Sequence, residues 1–361
     1  MRHAAREQTL AFQPTAAIST LQQRAKLLGI IRTFFDTAGF FEVETPLLSA
    51  DIVVDAWLEP FVADWVPTPT EWQTRREPRY LQTSPEFAMK RLLAAGADSI
   101  YQLGKVFRNS EFGQRHNPEF TMLEWYRVGD GLSSLMSFTE SLVQHVVTAA
   151  ADLCNKNRDG LQLNSNSSSL LERVVRAGAF ERLTYEAAFQ TRCGCSALES
   201  SLEEIRAVAD RYQIVPPPGL AEEDRDGWLN FLLAELIEPN LGRARPTFLT
   251  NYPASQAALA RLSADGQTAE RFELYIDGIE LCNGYDELTD VHVLRSRISE
   301  QSQLRAVAGL MPLPQTNRML AAMDHGLPPC SGNALGVDRL IMLALGKEKL
   351  ADVISFPFDI A

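Results

Sequence analysis

The apolar and polar positions of the chain follow two periods, one typical of helices and one typical of strands. Apolar residues at helical spacing between Thr20 and Ala38 predict an amphipathic helix, which Gly39 ends. Alternation predicts two strands, Tyr101 to Arg108 and Glu119 to Arg127, separated by a polar connection rich in turn formers. Further helices are predicted over residues 87–95, 132–153, 170–176, 184–190, 202–211 and 226–236.

The two strands within residues 101–127 predict a hairpin whose polar face is unusual for a core. Met122, Glu124 and Tyr126 share one face of the second strand with Phe120. Arg108 ends the first strand, where a planar, always-charged donor can clamp phosphate or carboxylate oxygens. The pattern fits a site for a cationic substrate and a polyphosphate, and it also fits an edge hairpin with a solvated polar face.

A second hairpin is predicted around the Asp277-Gly278 turn, because Asp-Gly between alternating runs favours a two-residue loop. The register that follows pairs Ile276 with Ile279, Tyr275 with Glu280, Leu274 with Leu281 and Glu273 with Cys282. The face opposite the core would then carry Glu273, Tyr275, Glu280 and Cys282. On pattern alone, that face could equally be an ordinary solvent-facing one.

Ser84-Pro85-Glu86 precedes a predicted helix, and its residue types suit a helix N-terminus. Serine can cap the helix, proline fits its first turn, and a carboxylate is favoured there by the helix dipole. Near the C-terminus, a glycine-bearing strand end that includes Gly336 runs into an apolar helix with Arg339 near its start. Glycines permit close backbone approach to a ligand, and a helix N-terminus attracts phosphate.

The chain has 361 residues and a formal net charge of −12, so its composition gives no sign of the basic surface that usually grips nucleic acid. Its five cysteines are scattered and complete no zinc set, which favours free thiols in a reducing cytoplasm. No apolar run is long enough to span a membrane. A soluble cytoplasmic protein is therefore expected.

The segment RNSE…RHNPEFTMLEWY, residues 108–126, resembles motif 2 of the class II aminoacyl-tRNA synthetases of the lysyl type. Within that group it most resembles the elongation factor P–(R)-β-lysine ligases, truncated paralogues of lysyl-tRNA synthetase. The helix from Thr20 and the strand from Phe40 to Leu48 resemble motif 1, the dimer element, and Gly-Val-Asp-Arg ending at Arg339 resembles motif 3.

The resemblance implies an α+β fold, a class II synthetase-like catalytic domain with a mixed, mostly antiparallel sheet flanked by helices. The expected organisation is a flexible tail over residues 1–19 and a catalytic domain over residues 20–361. A polar Asn/Ser-rich insertion is expected at about residues 155–169.

The resemblance also implies a role for each matched residue. The pocket for the substrate's amines would be formed by Ser84, Pro85, Glu86, Glu124, Tyr126, Glu287 and Ala334. ATP would be bound by Arg108, Asn109, Ser110, Glu111, Asn117, Phe120, Glu280, Leu281, Gly336 and Arg339. Arg108 and Arg339 would be catalytic. Glu280 and Glu287 would hold Mg²⁺, since close carboxylates repel unless a cation separates them and Mg²⁺ bridges to phosphates.

Two features separate the chain from a lysyl-tRNA synthetase. That synthetase carries an anticodon-binding barrel before motif 1, where a short tail is expected here. Ser84 stands where the synthetase usually has alanine, Trp125 lies between Glu124 and Tyr126, and Ala334 replaces a glycine. Motif 2 also departs from the family pattern, because Ser110 stands at the usual adenine-binding glutamate and a glutamate follows it.

The implied function is activation of (R)-β-lysine, or lysine, by ATP as an aminoacyl-adenylate, with transfer to a lysine side chain of elongation factor P. A homodimer is expected, with no tRNA and no membrane as partners. The alternatives are a lysyl-tRNA synthetase chain whose anticodon module lies elsewhere and a catalytically inactive paralogue that senses lysine. Charging of tRNA, or amino-acid binding without pyrophosphate release, would favour them.

Overall fold

The computed structural model describes residues 12–71, 73–156, 170–176 and 178–361. The first eleven residues of the expected tail and residues 157–169 of the expected insertion lie outside the described residues. No described helix is long and apolar enough to cross a membrane.

Among the described residues, eleven strands form two sheets. They are β1 Phe41–Glu42, β2 Leu48–Ser49, β3 Val62–Trp65, β4 Glu77–Leu81, β5 Ser99–Phe107, β6 Glu119–Val128, β7 Glu181–Thr184, β8 Thr247–Pro253, β9 Thr268–Ile276, β10 Ile279–Asp286 and β11 Cys330–Gly336. The larger sheet has the order β1-β5-β6-β11-β10-β9-β8-β7, and the smaller sheet has the order β2-β4-β3. Only the two outer pairs of the larger sheet, β1–β5 and β7–β8, are parallel.

The helices cover both faces of the larger sheet. They are α1 Ile18–Thr37, α2 Glu86–Ala94, α3 Leu132–Lys156, α4 Tyr185–Cys193, α5 Leu202–Tyr212, α6 Arg225–Leu232, α7 Val291–Val307, α8 Arg318–His325 and α9 Val337–Ala344. One core joins the sheet to α1, α3 and α9, and another joins it to α2, α7 and α8. A mixed, mostly antiparallel sheet between helices confirms the predicted α+β class.

The central strand β6 divides its residues between these two cores. Leu123 and Trp125 are fully buried in the core of α1, α3 and α9, whereas Tyr126 belongs to the core of α2, α7 and α8. Successive side chains of a strand point to opposite faces, so Glu124 shares the α2 side with Tyr126. The predicted hairpin of residues 101–127 is therefore buried on both faces, and the alternative of an edge hairpin with a solvated face is wrong.

Several predicted boundaries need correction. The first helix begins at Ile18, two residues before the prediction, and the strand expected from Phe40 to Leu48 is reduced to the short β1 and β2. Residues 172–176 and 233–237 are π-helical rather than α-helical. Such single-turn expansions arise from local packing, which a periodicity of 3.6 residues does not reveal.

The register of the second hairpin is correct at the turn and wrong beyond it. Ile276 pairs with Ile279 and Tyr275 with Glu280 as predicted, but a bulge then makes Cys282 the partner of Leu274. The extra residue changes which side chains share a face, because the side-chain period of a strand is two. Cys282 lies in the apolar core instead of joining the polar face. Asn283 takes the place predicted for Cys282, opposite Glu273.

Candidate functional site

A cavity of about 1160 Å³ lies over the centre of the larger sheet, and its wall contains residues from the segments that resemble motifs 2 and 3. The predicted site residues that line it are Ser84, Glu86, Arg108, Glu111, Asn117, Phe120, Glu280, Leu281, Ala334, Gly336 and Arg339. Segments distant in sequence therefore converge on one cavity, as predicted. Pro85, Asn109, Ser110, Glu124, Tyr126 and Glu287 are not part of its wall.

Arg108 follows the last residue of β5, and its guanidinium reaches the cavity. The guanidinium carbon lies 5.3 Å from the centre of the Phe120 ring, and its nearest polar partners are distant, with Thr83 O at 3.4 Å and the Glu111 carboxylate at 3.8 Å. Its hydrogen-bonding capacity is therefore largely free for an anionic ligand.

The connection between β5 and β6 explains the departure from the family's motif 2 pattern. Ser110 has a φ of 68°, so the chain turns in the left-handed region and its side chain is exposed. Glu111, the next residue, lines the cavity. Asn117 also lines it, but its amide is engaged by the backbone, donating to Glu119 O and accepting from Phe358 N. Asn117 thus ties the connection to the C-terminal segment.

Arg339 lies in the first turn of α9 at the opposite side of the cavity wall. Its guanidinium donates to Glu280 O at 2.8 Å and to Arg115 O at 3.1 Å, and one of its nitrogens is 3.9 Å from the Glu280 carboxylate. It also lies 2.6 Å from the His116 ring. Burial and then the charge of Arg339 lower the pKa of His116, which keeps that ring neutral near physiological pH.

Asp338, at the start of α9, contacts both β6 and α1. Its carboxylate accepts a hydrogen bond from Thr121 N on β6 and forms an ion pair with Arg24 of α1, and it is nearly fully buried. One carboxylate therefore positions the start of α9, the central strand and the first helix relative to one another. This contact fixes the start of α9, which carries Arg339, beside the strand that carries Phe120.

A buried polar cluster lies beneath the α2 side of the sheet. Ser84 donates to one oxygen of Glu124 at 2.8 Å, and the Tyr126 hydroxyl donates to the other at 2.6 Å. Ser84 also accepts from Glu86 N, the first residue of α2, but the N-cap position is Pro85 and has no side-chain cap, so the prediction that Ser84 caps the helix is wrong. These residues, with Glu287, form what we call the amine pocket: Ser84, Glu86, Glu124, Tyr126 and Glu287.

Burial raises the pKa values of two carboxyl groups of the amine pocket, those of Glu124 and Glu287. Burial and then the Glu86 carboxylate raise the pKa of Glu124 to about 7. Burial raises the pKa of Glu287 to about 8, although the nearby Lys90 ammonium opposes the shift. Raised pKa values of this kind in a closed polar cluster are typical of carboxyl groups that bind a cation.

Lys90 is a buried residue of the site that the sequence reading missed. Its ammonium lies 2.5 Å from a Glu86 oxygen and 2.5 Å from a Glu287 oxygen. The available signal was the spacing of Glu86 and Lys90, four residues apart on a predicted helix, which brings the two side chains onto one face.

A second acidic group surrounds the β9–β10 hairpin, and of its members the sequence analysis assigned a role to Glu280 but none to Glu273 or Glu238. The Tyr275 hydroxyl lies 2.6 Å from a Glu273 oxygen and 3.1 Å from a Glu238 oxygen. Arg271 forms an ion pair with Glu273 at 2.5 Å. Desolvation and then the Glu273 carboxylate raise the pKa of Glu280 to about 7. Glu273, Glu280 and Glu238 all line the cavity.

The predicted metal pair of Glu280 and Glu287 stays a prediction. Glu280 is the second residue of β10 and Glu287 directly follows its last residue, so most of that strand lies between them. Glu287 forms an ion pair with Lys90. Among the described residues, no group of three or more acidic, histidine or cysteine side chains could hold a metal ion. Mg²⁺ bound with nucleotide phosphates needs only one or two carboxylates, and Glu273 and Glu280 fit that need.

Gly332 of β11 gives the amine pocket its shape. It pairs with Tyr126 across β6 and β11, and a Cβ atom there would lie 2.2 Å from the Tyr126 ring and 2.6 Å from a Glu287 oxygen. We expect Gly332→Ala to displace both side chains and to raise the KM for a substrate bound in this pocket by about 100-fold, at a cost of about 1–3 kcal/mol in stability.

The measurement is steady-state kinetics combined with thermal unfolding. Gly104→Ala on β5 is the control, because a Cβ there meets only ordinary contacts of 3.6 Å or more. An unchanged KM in Gly332→Ala would show that the pocket does not depend on this close approach.

Comparison with known proteins extends these observations. A family model described as tRNA synthetases class II (D, K and N) matches residues 2–360. The elongation factor P--(R)-beta-lysine ligase of Yersinia enterocolitica is 43% identical over 352 residues, covering 97% of this chain and 98% of that protein. The ligases of the same name from Vibrio vulnificus and Klebsiella pneumoniae are each 42% identical over 353 residues, covering 97% and 98% of this chain and 99% of each protein.

Proposed function

The chain belongs to the class II tRNA synthetase family of the D, K and N type, and we propose that it is an ATP-dependent ligase that activates (R)-β-lysine and transfers it to elongation factor P. The acceptor is a lysine side chain of elongation factor P. The proposal is supported by three relatives of this name, each of which aligns with the chain over nearly its whole length.

The observation that carries the proposal is that two sites of opposite charge lie next to each other. The amine pocket contributes the buried carboxylates of Glu86, Glu124 and Glu287, which suit the two ammonium groups of a diamino acid. Arg108 and Arg339 lie on the wall of the cavity beside it, where a polyphosphate needs positive charge. Glu86 belongs to both, because it lines the cavity and contacts the pocket's lysine.

In the mechanism, Arg108 binds the substrate carboxylate and the α-phosphate of ATP together. A carboxylate oxygen attacks the α-phosphorus in line, the bond to the β-phosphate oxygen breaks, and pyrophosphate leaves. Phe120 stacks on adenine opposite Arg339, and Arg339 neutralises the departing phosphates. Glu111, rather than Ser110, contacts the adenine amino group. Catalysis rests on positioning and charge stabilisation, without a protein nucleophile.

In the second half-reaction, the neutral ε-amine of the acceptor lysine attacks the acyl carbon of the adenylate. The mixed anhydride breaks, AMP leaves with the electron pair, and the new amide loses a proton to solvent. We propose that Glu273 and Glu280 hold Mg²⁺ on the phosphate side, where it would neutralise charge on ATP.

Three further points of the proposal concern organisation. Residues 20–361 form one catalytic domain, whose sequence includes a polar Asn/Ser-rich segment near residues 155–169. The enzyme is a homodimer through the motif 1 elements α1 and β1. It acts in the cytoplasm without a tRNA substrate.

The experiment that tests the function has two parts. ATP–pyrophosphate exchange with (R)-β-lysine and with α-lysine measures activation, and mass spectrometry of elongation factor P after incubation with ATP and (R)-β-lysine measures transfer. We expect stronger exchange with (R)-β-lysine and one β-lysyl adduct on a lysine. Equal exchange with both amino acids, none with either, or charging of tRNA would contradict the proposal.

The pKa values of the amine pocket predict a pH dependence of substrate binding. The ammonium groups need ionised carboxylates, but the pKa of Glu124 is about 7 and that of Glu287 about 8 in the substrate-free site. As the pH falls from 8 to 6, both groups bind protons that the substrate must displace. We expect the KM for (R)-β-lysine at saturating ATP to rise by about tenfold or more over this range. A constant KM would show that the carboxylates stay ionised throughout.

A further inference from the structure

Lys90 is a cation enclosed within the amine pocket. It lies on α2, four residues after Glu86, and only 2% of it is exposed. Its ammonium is 2.5 Å from a Glu86 oxygen, 2.5 Å from a Glu287 oxygen and 5.8 Å from the centre of the Tyr126 ring. Burial lowers the pKa of this lysine, but the two carboxylates outweigh burial and raise it, so Lys90 stays charged.

The proposed reaction assigns no role to Lys90. It does not line the cavity, whereas Glu86 does, so it does not contact ATP or the substrate carboxylate. A lysine buried only to stabilise the fold is unexpected here, because burying a charge costs free energy unless a partner compensates for it. The reason for its presence should therefore lie in what it does to its partners.

The charges of the pocket suggest that reason. The ionisable groups that act on one another there are Glu86, Lys90, Glu124, Tyr126, Tyr285, Glu287 and Cys330. The two tyrosines and the thiol stay neutral, because burial raises the pKa of each. Two further charges are paired at the edge of the cluster, since Asp286 binds Arg261 at 2.8 Å and Arg271 binds Glu273 at 2.5 Å. When all three carboxyl groups of the pocket are ionised, they and the one ammonium group carry a net charge of −2, equal and opposite to the charge of two substrate ammonium groups.

We propose that Lys90 is a positioning and specificity-determining residue, which orients Glu86 and Glu287 and sets the pocket's charge to match a diammonium acid. This inference rests on the proposed function, since it assumes a substrate with two amines. A pocket of charge −3 would have to take up a proton, and a pocket of −1 would leave one ammonium group unpaired. Either mismatch weakens binding, because uncompensated buried charge is costly.

The test is a cycle of four proteins assayed by ATP–pyrophosphate exchange with (R)-β-lysine: the wild type, Lys90→Met, Glu287→Gln and the double variant. Glu287→Gln leaves the pocket at −1 and should raise the KM strongly. Adding Lys90→Met restores −2 through Glu86 and Glu124. We expect the double variant to have a KM about tenfold lower than Glu287→Gln alone, with the KM for ATP little changed.

The sign of this coupling separates the proposal from a purely structural role. If Lys90 only supports the fold, its loss does not lower the KM that Glu287→Gln has raised. The double variant then has a KM for (R)-β-lysine no lower than that of Glu287→Gln. That result overturns the proposal. If Lys90→Met alone does not fold, because two carboxylates lose their shared partner, the double variant still carries the test, since both of its new side chains are neutral. Thermal unfolding of all four proteins identifies this case.

Lys105→Met is the matched control, because Lys105 forms an exposed ion pair with Glu119 at 3.4 Å. It should leave the KM for (R)-β-lysine unchanged, and a similar KM change there would contradict a specific role for Lys90. Failure of the two proposals is distinguishable. A wild type without exchange on (R)-β-lysine refutes the function, whereas an active wild type without rescue in the double variant refutes only the inference about Lys90.

Discussion

Arg108→Ala should reduce ATP–pyrophosphate exchange by about 10³-fold, because it removes the donor proposed to join the substrate carboxylate to the α-phosphate. The guanidinium carbon lies 5.3 Å from the centre of the Phe120 ring, and its polar partners are Thr83 O at 3.4 Å and the Glu111 carboxylate at 3.8 Å. Its loss therefore breaks few contacts within the protein. The effect should fall on kcat and kcat/KM in exchange, while thermal unfolding stays close to that of the wild type.

Two companion variants make this result interpretable. Arg108→Lys keeps the charge but loses the planar fork, so it should recover only part of the activity. Arg176→Ala removes an exposed arginine whose ion pair with Glu172 lies away from the cavity, and it should behave as the wild type. Exchange in Arg108→Ala within tenfold of the wild type would remove Arg108 from the chemistry.

The elements that carry the motifs could be read from the sequence because each has a strong local signal. The strands around Arg108 and Glu124 alternate, and Asp277-Gly278 fixes its turn, since both residues adopt positive φ. The convergence of these elements on one cavity came from the family resemblance. Periodicity alone left the edge hairpin and the solvent-facing hairpin open.

The errors have a common physical cause, because each depends on contacts between distant residues. The bulge after Glu280 changes which residue lies opposite Glu273, and no local signal marks it. Whether Glu287 shares a metal ion with Glu280 likewise depends on how β10 places the two residues, which no local signal gives. Lys90 was overlooked because a lysine in a predicted amphipathic helix usually lies on the solvated face.

Glu280→Gln should reduce exchange by at least about 10²-fold with every amino acid, and raising Mg²⁺ should restore little of it. Glu280 lines the cavity next to Arg339, and burial and then the charge of the Glu273 carboxylate raise its pKa, an unfavourable environment that a bound cation would relieve. Glu287→Gln should behave differently. It should raise the KM for (R)-β-lysine and leave the KM for ATP and the Mg²⁺ dependence unchanged, because Glu287 pairs with Lys90 in the amine pocket.

Comparing the Glu280→Gln and Glu287→Gln variants shows which of the two glutamates lies near the metal. Both substitutions remove one negative charge and keep the side-chain shape, so a general effect of charge on the cavity would make them alike. Kinetics as a function of Mg²⁺ concentration, at saturating ATP and amino acid, separates them. A shifted Mg²⁺ dependence in Glu287→Gln and a normal one in Glu280→Gln would place the metal at the amine end, against the separation that β10 imposes on the two carboxylates.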